Sequence, residues 1–228
     1  GLGDVYKRQE EAGVSIVTGD TKVVPRGCGD GIYINTAGVG ELIEGVDIAP
    51  TNIKAGMDII VSGTLGDHAA TVMAARHNLT LPPEIMSDCA PLCHMTAAML
   101  AAAPSIAVLR DPTRGGAAAS LNELAGAAGV GILLDEERIP VRPAVQGVCE
   151  LLGFDPLTLA NEGKLLAFTR PADTERVLDV MHADPHGTEA CVIGQTTAEA
   201  PGEVGLRTAL GGIRVVDMPL GELVPRIC

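Results

Sequence analysis

The 228-residue sequence contains no tryptophan, and its only phenylalanines and tyrosines are Tyr6, Tyr33, Phe154 and Phe168. So few rings cannot stack successive bases, which excludes the usual platform for single-stranded nucleic acid, and Ala, Val, Leu and Ile are left to fill the core. Basic residues are also scarce: 16 Lys and Arg stand against 29 Asp and Glu, a formal charge of −13. Neither a nucleic-acid backbone nor an anionic membrane surface suits that field, so neither is expected as a partner, and any phosphate site must be built locally. No window approaches the roughly 18 to 20 uninterrupted apolar residues that cross a bilayer, and no charged start, apolar stretch and small-residue cleavage site follow one another. A cytoplasmic location is the expectation. Dense cysteine spacing is missing too: Cys28, Cys89, Cys93, Cys149, Cys191 and Cys228 lie far apart except for one pair, unlike a small secreted scaffold, and reduced thiols are expected.

Periodicity is lacking at the start. Residues 1–9 follow neither a helical nor a strand pattern and read as a foreign leader on a truncated chain, with the pattern beginning at Glu10. Short β-branched runs at 14–17 and 32–34 then read as strands joined by loops, the second following the Gly-rich turn at 27–31. Gly-rich residues 38–54, broken by Pro50, mark a boundary, with a linker near 45–52. Beyond it strands are expected at 59–61, 106–109, 131–134, 165–169 and 191–193. Helices are expected at 68–78, 92–103, 117–128, 144–152 and 174–183, followed by a hairpin at 204–216 about Gly211-Gly212. This alternation gives an α/β (α+β) fold class. The last twelve residues carry Pro219, Gly221 and Pro225, which resist helix and strand alike.

Four features carry possible chemistry. The segment Val224-Pro225-Arg226-Ile227-Cys228 puts a thiol on an arm whose twelve residues span roughly 40 Å when extended, so the thiol either visits a site or is a plain exposed cysteine. Thr18-Gly19-Asp20-Thr21-Lys22, followed by Arg26, combines a carboxylate for Mg²⁺ with an ammonium for phosphate, although the same residues also make a common turn. Arg110-Asp111-Pro112-Thr113-Arg114-Gly115-Gly116 opens a helix directly after a strand, an arrangement that suits an anion. Alternatively Asp111 and Thr113 cap that helix while Gly115 and Gly116 let it pack on the sheet. The related turn Ser62-Gly63-Thr64-Leu65-Gly66-Asp67-His68 is read as a helix cap. In Asn161-Glu162-Gly163-Lys164 a carboxylate beside a glycine at a strand entrance serves either as a general base or as a surface turn. Cys89, Cys93 and His94 approach metal-ligand spacing, but Pro91 separates the cysteines and no second pair exists, so no structural metal is expected.

Taken in order, residues 17–26, 110–116, 161–164 and the final Pro225-Arg226-Ile227-Cys228 resemble the HypE family of hydrogenase maturation factors, within the aminoimidazole ribonucleotide synthetase superfamily. The resemblance runs from about Glu10 to Cys228. It implies an aminoimidazole ribonucleotide synthetase-like two-domain fold with an incomplete N-terminal domain: a leader at 1–9, a remnant of the ATP-binding and dimerisation domain at 10–48, a C-terminal α/β domain at 49–198, and a hairpin and tail at 199–228. It also implies that Cys228 accepts a carbamoyl group from the carbamoyltransferase HypF. With ATP and Mg²⁺ the resulting S-carboxamide is dehydrated to a thiocyanate, and the cyanide passes to iron on the HypC and HypD complex. Glu162 then matches the proton acceptor and Lys22 an electrostatic or relay partner. Asp20, Thr21, Arg110, Asp111 and Arg114 match nucleotide or Mg²⁺ roles, and the full-length form is expected to be a homodimer. The alternatives are a superfamily relative of the selenophosphate synthetase or thiamine phosphate kinase type with Cys228 incidental, or an inert fragment or carrier.

Overall fold

A computed structural model describes residues 2–29, 31–83 and 85–219. The chain divides into two compact units, residues 1–46 and residues 47–228. In the first, α1 (Leu2–Ala12) overturns the reading of residues 1–9 as aperiodic. Its last turns carry ion pairs of Arg8 with Glu11 at 2.7 Å and Lys7 with Glu11 at 3.9 Å, and its first turns place Leu2, Val5 and Tyr6 at helical spacing, a periodicity that reading overlooks. The strands expected at 14–17 and 32–34 join no ladder among the described residues. Val17, Val23, Ile32 and Ile34 are exposed, so these β-branched runs have neither a pairing edge nor an apolar face to cover them.

The second unit is built on a seven-stranded sheet. Its strands are β1 (Asp58–Val61), β2 (Val108–Arg110), β3 (Gly131–Asp135), β4 (Leu166–Thr169), β5 (Cys191–Thr197), β6 (Val204–Arg207) and β7 (Ile213–Val215), in the order β2-β4-β1-β5-β3-β6-β7. All neighbours are antiparallel except β3 and β6. Five helices connect the strands: α2 (Asp67–Arg76), α3 (Cys93–Ala102), α4 (Gly116–Ala128), α5 (Pro143–Leu152) and α6 (Pro171–His182). The sequence places every one of these elements to within a few residues, because each apolar run ends at a turn residue or a cap. Gly129, for instance, closes α4 with φ of 66°, a left-handed conformation that a residue with a Cβ adopts at a cost.

With so few aromatic residues the core is aliphatic. Among the described side chains Phe168 is the one fully buried ring, packed with Ile59, Val61, Leu166 and the α4 face of Ala117, Ala118, Leu121 and Ala125. A second cluster joins Ala69 and Ala70 of α2 to Val145 and Val148 of α5 and to Leu159. Alanine on these helix faces lets backbones approach closely, which is how a core nearly free of rings keeps interior density. Buried Asp58 is held by Thr174 Oγ1 and Gln195 Nε2, each at 2.7 Å, so its carboxylate does not stand unpaired inside the sheet.

The strand order decides what meets at one sheet edge. β4 lies between β1 and β2 and is antiparallel to both, with Val61 and Arg110 each opposite Leu166. The segment entering β4 therefore sits between the turn that leaves β1 and the turn that leaves β2. Two Gly-rich turns and the Asn161-Glu162-Gly163-Lys164 loop, nearly a hundred residues apart in sequence at the extremes, converge there.

Candidate functional site

Asn161 is the centre of this edge and is 1% exposed. Its Oδ1 accepts the Gly66 N–H at 2.8 Å, its Nδ2 donates to Pro112 O at 3.1 Å and Leu159 O at 2.9 Å, and its own N–H donates to Pro112 O at 3.2 Å. One amide thus ties the turns after β1 and β2 to the loop before β4. Both turns use left-handed glycines, Gly66 at φ 87° and Gly115 at φ 72°. Gly116 is also close-packed, since a Cβ there would overlap the carbonyl oxygens of Leu157 and Leu159. Gly116 thus lets the start of α4 pack against the loop before β4, while the helix's alanine face lies in the core with the strands. No side chain caps α4 or α2 at its start, which corrects the expectation that Asp111 and Thr113, and the turn before His68, act as caps. The Gly66 N–H is taken by Asn161 instead.

Glu162 follows on a backbone fixed from several sides. Its N–H donates to Asp88 Oδ1 at 2.9 Å, and two residues past Gly163 the Leu165 N–H donates to Ser62 Oγ at 3.0 Å. Gly163 is pressed against the Asp88 backbone, where a Cβ would fall inside the Asp88 carbonyl oxygen. Asp88 itself is half-buried. Burial pushes its carboxyl above the ordinary carboxylate value, against the opposing pull of the Glu162 N–H, Lys164 and His68. A cavity of about 260 Å³ opens beside it, lined among others by Ser62, Ser87, Cys89, Arg142 and Lys164. Of its lining residues, Ser87 donates from Oγ to Cys89 Sγ at 3.2 Å, and the buried His68 Nδ1 lies 2.8 Å from the same Oγ. Among the described residues no three His, Cys, Asp or Glu side chains come together to hold a metal ion.

The other residues singled out in the sequence are dispersed. Arg110 Nη2 donates to Glu123 at 3.1 Å, and its Nη1 lies 3.7 Å from Asp111, so its charge is already engaged. Arg114 is exposed and has no ion pair among the described residues. Asp20, Thr21 and Lys22 are exposed in the first unit, where the Thr21 N–H donates to the adjacent Asp20 Oδ1 at 2.8 Å. Cys228 lies outside the described residues. So do residues 220–227, and the last described residue, Pro219, packs at Gly115, where a Cβ would be 3.7 Å from Pro219 Cγ. The described chain thus ends beside the turn that Asn161 holds. The sequence alone did not point to Asp88, which falls between elements with no local pattern to set it apart, and it named Ser62 only as the start of a turn read as a cap.

Residues 54–207 match the family model of the AIR synthase related protein, C-terminal domain. Over 227 residues the chain is 51% identical to a carbamoyl dehydratase HypE of Rhodobacter capsulatus, covering 100% of this chain and 67% of that protein. The chain belongs to the HypE family. Its fold follows that of solved family members: a HypE crystallised with ATP superposes with a TM-score of 0.92 at 42% identity, covering 97% of this chain and 68% of that one. A HypE crystallised with HypF gives 0.90 at 41%, covering 96% and 71%. The chain spans 62 to 67% of the length of the curated relatives it matches. A more distant likeness, to a thiamine-monophosphate kinase of Stenotrophomonas maltophilia at 19% identity and a TM-score of 0.51, shows a shared fold.

Proposed function

We propose that the whole protein of which this sequence is part dehydrates a carbamoyl group carried on Cys228 to a thiocyanate, using ATP, and so supplies cyanide for hydrogenase maturation. The observation that carries this reading is the clamped Glu162 loop lying next to the turn where the Cys228-bearing segment departs. Nine residues, 220–228, follow Pro219, and an extended segment of that length spans at most about 30 Å. That reach is ample for a thiol to come to Glu162. The HypE solved with ATP and the HypE solved with HypF support a nucleotide substrate and a carbamoyltransferase partner.

The chemistry follows from what an amide lacks. An S-carboxamide can lose water only if its oxygen becomes a good leaving group and both nitrogen protons are taken up. ATP, when bound, supplies the phosphoryl group that turns the oxygen into departing phosphate, so that carboxamide and ATP give thiocyanate, ADP, phosphate and a proton. Glu162 accepts a proton from the amide nitrogen, a role in which a positioned carboxylate contributes roughly 10²- to 10⁴-fold in rate. Lys22 offsets the charge that develops at oxygen. Helices α2 and α4 both begin at this edge, and their N-terminal N–H groups suit an anion such as the departing phosphate.

Mg²⁺ fits as an ion shared with the nucleotide. It is usually held by one or two carboxylates plus substrate phosphates rather than by an all-protein cage, and the exposed Asp20 with its neighbour Thr21 provides such a group. Asp111 and Arg114, both exposed at the turn before α4, belong to the nucleotide-facing set, while Arg110 contributes through its pairing with Glu123 and Asp111. The further steps of the reading are transfer of cyanide to iron on a HypC and HypD complex, homodimerisation of the full-length form and a cytoplasmic location. No helix among the described residues is long and apolar enough to cross a membrane. The test is a mass spectrum of the Cys228 peptide after incubation of the full-length protein with HypF, carbamoyl phosphate and ATP. Carbamoylation and then loss of one water are expected, both abolished by Cys228→Ala; label retained by that variant overturns the reading.

A further inference from the structure

We infer that Asp88 is a positioning residue for Glu162, acting as a fixed hydrogen-bond acceptor that sets where the Glu162 carboxylate is presented. The inference rests on the role proposed for Glu162 and adds a residue from a segment without regular structure, 74 positions before Glu162 in the chain. Three observations carry it. Asp88 Oδ1 takes the Glu162 N–H at 2.9 Å, a side-chain bond made to the peptide unit of the proposed base itself. The next residue, Gly163, lies against the Asp88 carbonyl so closely that a Cβ would overlap it, and the two backbones therefore cannot slide independently. Asp88 Oδ2 is buried with no hydrogen-bond partner among the described residues, so the bond this side chain makes there is the one to Glu162.

A carboxylate chosen only for stability would not be left half satisfied beside His68, Asp67 and Lys164, the charged or titratable groups that act on it. Burial raises its carboxyl and the Glu162 N–H pulls the other way, but what the geometry shows the N–H using is one acceptor oxygen at a fixed place. Asparagine keeps such an oxygen; alanine does not.

The test uses the full-length, carbamoyl-loaded protein with Asp88→Ala, Asp88→Asn and Glu162→Gln. For Asp88→Ala, kcat for thiocyanate formation should fall about 10- to 100-fold, the order expected for a misplaced catalytic group, while KM for ATP and loading of Cys228 stay near the unmutated values. Asp88→Asn should restore most of kcat. Hydrogen exchange at the Glu162 amide, read without any turnover, should accelerate in Asp88→Ala and be slow again in Asp88→Asn. Unchanged kcat and unchanged amide exchange in Asp88→Ala overturn the inference, as does an Asn variant as impaired as Ala. Should Glu162→Gln turn over normally while the amide exchange still responds to Asp88, it is the role of Glu162 that fails and not the bond.

Discussion

The Asn161 carboxamide oxygen accepts the Gly66 N–H at 2.8 Å across 95 positions of sequence, and with its amide nitrogen on Pro112 O it locks two turns onto one loop. Replacing it with Ala removes the side-chain partners of the Gly66 N–H and the Leu159 carbonyl, and leaves Pro112 O only the backbone N–H of residue 161, at a cost of about 2–3 kcal/mol. For a unit of this size that lowers Tm by roughly 5–10 °C. Asn161→Asp should be no better, because it keeps the acceptor but turns a carboxylate oxygen toward two carbonyls. Thermal unfolding followed by circular dichroism checks both.

Gly163→Ala should be more disruptive than its small volume suggests, since the new methyl meets the Asp88 carbonyl and the segment around Ser87 must move away. Loss of both Tm and thiocyanate formation is expected. Gly147→Ala, in α5 with nothing within 4 Å of its Cβ position, serves as the comparison, and should be neutral or stabilising.

The sequence showed the elements and their order because caps, turns and apolar runs are local. It singled out Glu162 for the same reason, a carboxylate next to a glycine at a strand entrance. The role of Asn161 was not legible, because it depends on β4 inserting between β1 and β2, and antiparallel insertion leaves no trace in the sequence of any one strand. Asp88 was invisible on the same ground: its significance is a bond to residue 162. The helix at Leu2–Ala12 was missed although Leu2, Val5 and Tyr6 follow helical spacing, because that pattern lasts little more than one turn before the polar run Lys7 to Glu11.

Asp173 shows a pH dependence with a definite sign. Hydrogen bonds from Ser105 and Arg170 hold its carboxyl below the ordinary value of 3.8, with the charges of Arg170 and Arg176 adding to the effect. A carboxylate with a depressed folded value contributes stability that is fully present above the unfolded value and is lost as pH falls through the folded one. Urea midpoints should therefore decline below about pH 4 less steeply in Asp173→Asn than in the unmutated chain, while at pH 7 the variant should be the weaker of the two.

Thiol reactivity should separate by burial. Cys149 is 1% exposed, and burial with the nearby Asp155 and Glu150 pushes its thiol up to about 11. At pH 8 iodoacetamide should modify the exposed Cys28 and Cys89 and spare Cys149 until the chain is unfolded. Peptide mapping before and after urea measures this.

In residues 1–46 the exposed Val17, Val23, Ile32, Ile34, Val39 and Leu42 form no ladder, and this chain should self-associate. Light scattering after size exclusion should give a mass above the 23.4 kDa of a monomer, and a monodisperse monomer would contradict the expectation.

The most direct test of the account is the fate of the group on Cys228 in a full-length Glu162→Gln protein. Glutamine keeps the shape and the backbone bond to Asp88 and removes the basic oxygen. Loading by HypF needs an accessible thiol but no base from this chain, so mass spectrometry should find the carboxamide accumulating on Cys228 without losing a water. Thiocyanate formed at the unmutated rate would make Glu162 an ordinary turn residue and contradict the account.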